Sequence, residues 1–154
     1  MGRKSVRCVK NANVTRRYLA SANRTSGLKL HLDRFDGRNA FTGYGAGYVT
    51  VNGRRHETSL VVFPDRLIDP WAVTRIEDLV EPSLDFLSGL ALEIVLVGTG
   101  PRMHLLHPKH YRRLSESRIG VEVMDTLAAC RTYNILLAEG RKVAAALLIP
   151  PSGE

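Results

Sequence analysis

Apolar and polar residues begin to alternate at Leu28-Lys29-Leu30-His31-Leu32, which predicts an edge strand over residues 28–35. Phe41-Thr42-Gly43-Tyr44-Gly45-Ala46-Gly47-Tyr48 holds too much glycine for a helix and reads as a short strand and a tight turn. Two β-rich runs, Tyr48–Val51 and Arg54–Phe63, then flank Asn52-Gly53. Both residues of that pair tolerate the positive φ of a type I′ turn, so the runs predict a hairpin. Pro64-Asp65 ends it, and Leu67-Ile68 leaves room for one more short strand before Pro70-Trp71.

The texture changes at Thr74. Ile76, Leu79 and Val80 fit a helical turn, and Pro82–Leu87 a short helix with proline in its first turn, closed by Gly89. Strands and helices then alternate. Glu93–Val97 is a strand, Gly98-Thr99-Gly100-Pro101 a loop, and Pro108–Ser117 a helix with Tyr111 and Leu114 inward and Lys109, Arg112 and Arg113 outward. Val121–Met124 is a strand, Thr126–Ala138 a helix stopped by Gly140, and Val143–Ile149 the last strand, ended by Pro150-Pro151. These strands are near-continuous apolar runs, as expected when both faces are buried. The helix at 126–138 is apolar on almost every side, which predicts cover over most of its surface. The carboxy-terminal half is therefore an α/β sandwich with the amino-terminal hairpin added as extra strands: one domain, three layers.

A chain of 154 residues, 44% of them hydrophobic, suits one domain. No apolar run approaches eighteen residues, which excludes a spanning helix. Cys8 and Cys130 are too few for a disulfide framework or a four-thiolate zinc site. Net charge is +7, but its location decides what it means. Residues 1–27 contain 7 basic residues and no acid, leaving residues 28–154 with 15 of each sign. A formally neutral body argues against a specific nucleic-acid surface, which needs its excess charge where the phosphates dock. The polar arm at 1–27 is expected to be disordered, with a single α/β domain over 28–151. Its Arg-rich, acid-free make-up fits an organelle presequence, or a reading frame begun upstream of a natural start near Leu28. Gripping nucleic acid or anionic lipid is the remaining alternative for the arm.

Candidate chemistry is sparse. Gly98-Thr99-Gly100 follows a strand, where α/β sheets bind ligands, and its amides could cradle an anion; it lacks dinucleotide or P-loop spacing and reads first as a structural turn. Asp125-Thr126 stands at the matching end of the next strand, where helix N-capping is the first expectation. Were the two strands parallel neighbours, these segments would meet at one edge as a cleft. Arg131 and Asn134 are the polar exceptions on the apolar helix, and Arg131 is expected to be a buried anchor, with a charged group facing that cleft as the alternative. Cys130 has no base partner in any recognisable pattern and reads as inert core. His104, His107 and His110 are spaced three apart, but Pro108 breaks their phase and no carboxylate accompanies them, so no metal site is expected.

Val97-Gly98-Thr99-Gly100, Gly120–Thr126, Ala129–Asn134, Glu139-Gly140-Arg141 and Ala145–Pro150 occur in that order. The ordered set, with Asn52-Gly53 and the Pro64–Trp71 segment, resembles the domain family of mitochondrial complex I assembly factor 3 and its uncharacterised bacterial and archaeal homologues, over residues 28–151. The resemblance implies a three-layer α/β fold with a mixed central sheet, no cofactor and no catalytic residue. It also implies protein partners, among them respiratory-complex or membrane-protein assembly components. A non-catalytic protein-binding module is thus the leading expectation. The rival is a small-molecule or anion-binding protein, enzymes included, using Gly98, Thr99, Gly100, Asp125, Thr126, Arg131 and Asn134. The preference for Arg over Lys suits a GC-rich genome and hence a bacterial cytoplasm; a presequence would instead place the protein in the mitochondrial matrix.

Overall fold

In the computed structural model, which describes residues 35–151 and the strand Leu28–Lys29, the apolar runs pair into two sheets. The arm at 1–27 and residues 30–34 of the expected first strand lie outside the described residues. One sheet is antiparallel, in the order β1 (Leu28–Lys29), β2 (Phe41–Gly45), β3 (Tyr48–Val51), β4 (Arg54–His56). Asn52 and Gly53 both take positive φ, 48° and 83°, so the predicted turn forms and sets Val51 opposite Arg54 and Val49 opposite His56.

The other sheet is mixed. Its strands are β5 (Leu60–Val62), β6 (Leu67–Ile68), β7 (Ile94–Gly98), β8 (Gly120–Met124) and β9 (Val143–Leu147), ordered β6-β5-β9-β7-β8. β7 runs parallel to β8 and β9, while β5 runs antiparallel to β6 and β9. Helix α1 (Arg112–Glu116) precedes β8, and α2 (Thr126–Ala138) connects β8 to β9.

Strand alternation divides the interior in two. Val62, Leu96, Ala145 and Leu147 face α2 and the first sheet, packing with Phe41, Val49, Ala129, Tyr133 and Leu137. Val61, Val95, Val97, Ala144 and Ala146 face the opposite way, onto Trp71, Leu84, Leu87 and Leu114 of the helical cover. The two crossovers thus lie on opposite faces of the mixed sheet, as right-handed connections in opposite directions require. The rings of Phe41 and Tyr133 meet edge-on at 5.2 Å, tying β2 to α2. Three layers with an added antiparallel sheet result.

Three expectations need correction. The run expected as one hairpin arm, Arg54–Phe63, is two strands in different sheets, with Glu57-Thr58-Ser59 carrying the chain across. Burial explains the break: Arg54 and Arg55 are exposed, whereas Leu60, Val61 and Val62 are covered on both faces. The helix expected over Pro108–Ser117 is a 3₁₀ turn, Pro108–Tyr111, followed by α1; Tyr111 at φ −127° interrupts it. Finally, α2 is not covered all round. The mixed sheet and β2 cover two of its sides, and Arg131, Ile135 and Ala138 share an exposed third. Arg131 is consequently a solvated side chain and not the expected buried anchor, because its stripe points away from both sheets.

Candidate functional site

Parallel pairing of β7 and β8 brings Gly98–Gly100 and Asp125–Thr126 to one edge, and the end of β9 joins them. What forms there is a closed clamp. The Thr99 amide donates to Met124 O at 2.9 Å, and the Gly100 amide to Thr126 Oγ1 at 2.9 Å. Thr126 returns its own amide to Gly100 O and its hydroxyl to Leu148 O, each at 2.9 Å, so one buried threonine joins all three strand ends. Thr99 Oγ1 donates to Arg102 O at 2.7 Å and accepts from the His104 amide at 3.0 Å, folding the following loop back on itself.

Close packing explains the glycine at position 98. A Cβ there would stand 2.7 Å from Leu147 Cδ2 and 3.0 Å from the Thr126 backbone. Gly100 adopts φ +98°, a conformation side chains disfavour. Asp125 caps α2, its carboxylate accepting from the Ala128 amide at 2.8 Å. The Thr99 and Gly100 amides that might have cradled an anion are thus already bonded within the protein.

Asn134 and Arg131 part company. Asn134, buried, pairs with both backbone groups of Phe41: its Oδ1 accepts from the amide at 2.9 Å and its Nδ2 donates to the carbonyl at 2.7 Å. It acts on the edge of β2 as a further strand would. Arg131 is exposed on the open side of α2, outside the clamp. Cys130 is buried, and that burial pushes its thiol well above the ordinary range, which leaves no nucleophilic thiolate. Among the described residues no cluster of His, Cys, Asp and Glu could hold a metal ion.

One polar group was not singled out from the sequence. His56 is buried at the end of β4, its Nδ1 2.5 Å from Asp69 Oδ2, and Thr58 donates to the other oxygen of Asp69. Burial raises the Asp69 pKa, but the hydrogen bonds from Thr58 and His56 and the charges of His56 and Arg54 outweigh it and hold the carboxyl below its ordinary value. The two-residue turn at Asn52-Gly53 is the signal that could have found His56, since it places that residue opposite inward-facing Val49.

The family described as "Protein of unknown function (DUF498/DUF598)" matches residues 41–148. The NADH dehydrogenase [ubiquinone] 1 alpha subcomplex assembly factor 3 of Bos taurus is 37% identical over 132 residues, which are 84% of this chain and 66% of that protein. The chain therefore spans somewhat under two thirds of that relative. An uncharacterized protein of Rhodobacter capsulatus is 34% identical over 76% of this chain and 90% of its own length. Among solved structures, a Mth938-like domain of Bordetella pertussis superposes with a TM-score of 0.66 at 38% identity, covering 80% of this chain and 94% of that one.

Proposed function

The chain belongs to the DUF498/DUF598 family, and on that premise we propose that it is a non-catalytic protein-binding module acting in the assembly of a respiratory NADH dehydrogenase. One observation carries the non-catalytic half of this reading: the strand ends where an α/β sheet would hold a ligand are closed by Thr126 and Gly98. The assembly half rests on the likeness to the bovine assembly factor. Beyond the clamp, the loop from Pro101 to His107 exposes Met103 at 56% and Leu105 at 88%. Apolar side chains exposed this close together offer a patch that a partner surface could cover. No helix among the described residues is long and apolar enough to cross a membrane.

Affinity purification of the tagged full chain from its native organism, with mass spectrometry, tests the reading. NADH dehydrogenase subunits or their assembly components should be enriched over an untagged control, and a Leu105→Asp, Met103→Asp variant should lose them. Unchanged NADH dehydrogenase assembly in a deletion strain, with no such subunit enriched, would overturn it.

A further inference from the structure

A recess of 340 Å³ opens at the opposite end of the mixed sheet from the clamp. Arg38, Arg66, Arg141 and Lys142 line it together with a single acid, Asp65. These cations come from three separate stretches of chain, so the convergence is a product of the fold. We infer that this recess is a binding site for a small phosphomonoester carried on an apolar or aromatic body. The inference is independent of the assembly role.

Charge and shape both point to that ligand. Glu93 pairs with Arg141 at 3.1 Å, and Asp65 lies 3.8 Å from Arg66. Four cations against these two carboxylates leave an excess of two positive charges, which matches a phosphomonoester of about −1.5 to −2. Phe63, Leu90 and Leu92 supply the apolar lining. The guanidinium of Arg66 sits 4.4 Å from the centroid of the Phe63 ring, which holds a planar donor at the mouth of the recess.

The far wall is the carboxyl end of α2, whose free carbonyls would ordinarily repel an anion. Here those of Leu136 and Leu137 are covered. Arg38 Nη1 and the Gly140 amide both donate to Leu137 O, and the Arg141 amide donates to Leu136 O. Arg38 is also fixed through Nε to Phe35 O at 3.2 Å, so its charge is held in place beside the recess. A volume of 340 Å³ falls at the lower end of the range for small-molecule sites, which fits a compact ligand.

Titration of the isotope-labelled full chain by amide NMR tests the site, with phenyl phosphate as probe and inorganic phosphate, benzoate and phenol as comparators. The expected result is saturable shifts confined to residues 63–66, 90–92 and 140–142. Phenyl phosphate should bind roughly tenfold more tightly than any comparator, and more weakly as salt is raised. Lys142→Glu and Arg66→Glu should each weaken binding by roughly tenfold or more while leaving the remaining spectrum in place. Arg131→Glu, on the open side of α2, should leave binding unchanged. Shifts that fail to saturate, that lie elsewhere, or that persist undiminished in Lys142→Glu would overturn the inference. So would phenol or benzoate binding as tightly as phenyl phosphate, since the phosphate would then contribute nothing.

Discussion

Asn134→Ala removes the side chain that bonds the first sheet to the helix beneath it. In the folded protein Asn134 satisfies the amide and the carbonyl of Phe41, at 2.9 and 2.7 Å, inside the core. Truncation to alanine leaves both groups buried and unpaired, and each such orphan costs about 1–3 kcal/mol. Together they come to about 2–6 kcal/mol, a large part of the roughly 5–15 kcal/mol that holds a domain folded. Urea unfolding followed by circular dichroism reads this directly. With a slope of about 2 kcal/mol/M, the midpoint should fall by about 1–3 M. Asn134→Asp sharpens the test: one oxygen still accepts from the Phe41 amide, but the other now faces the Phe41 carbonyl, so this variant should also be destabilised. An unfolding free energy for Asn134→Ala within about 0.5 kcal/mol of wild type, with an unchanged slope, would refute the argument, because water or backbone movement would then be satisfying Phe41.

Gly98→Ala should cost about 1–3 kcal/mol by thermal or urea unfolding, since the new methyl meets Leu147 at 2.7 Å and the Thr126 backbone cannot yield. Arg131→Ala should change the unfolding free energy by no more than about 0.5 kcal/mol, as befits an exposed residue; a loss of several kcal/mol would restore it as an anchor. Asp69, whose carboxyl lies below its ordinary value of 3.8, contributes stability that is present above that value and is lost as pH falls below it. Wild type should therefore outlast Asp69→Asn at pH 6 in urea, with the difference closing at pH 3. In a Cys8→Ser background, Cys130 should resist thiol reagents until the protein is unfolded; fast labelling of the native form would contradict its burial.

What could be read from the sequence was whatever depends on local period or on a turn. The Asn52-Gly53 pair set the hairpin register, and the unbroken apolar runs at 94–97 and 143–147 are the two central strands, covered on both faces. Asp125 as a helix cap was equally visible, because capping needs only the residues of one turn. Other features depend on distances that no local pattern carries. Arg54–Phe63 keeps its β-rich character across the point where the chain changes sheets, so nothing in the period marks Glu57–Ser59 as a crossing. Arg131 and Asn134 stand three residues apart on one helix, yet β2 covers only the second; which side of α2 is open is settled by a strand some 90 positions away. The meeting of Gly98–Gly100 with Asp125–Thr126 followed from parallel pairing, but whether the edge would be open or closed turned on where the Thr126 hydroxyl points.

The two ends of the mixed sheet differ for a reason rooted in its topology. At the carboxyl ends of parallel strands, loops usually splay apart where successive connections turn to opposite faces, and a crevice opens between them. Here the β7 and β8 connections do leave toward opposite faces, so a crevice is the ordinary outcome. Thr126 prevents it, by bonding Gly100 on one side and Leu148 on the other. At the amino ends of β7 and β9 the situation is reversed. β5 runs antiparallel to β9, so Phe63 and the β5–β6 turn emerge beside the start of β9, next to the carboxyl end of α2. There Glu93 ties the start of β7 to Arg141 and to the Lys142 amide, and the recess lies between those segments and the β5–β6 turn. The internal antiparallel strand β5 thus delivers its carboxyl end, with Phe63 to Arg66, to the side of the sheet opposite the clamp. The proposed phosphomonoester site accordingly lies around Arg66 and Lys142, at the end of the sheet opposite Gly98 and Gly100.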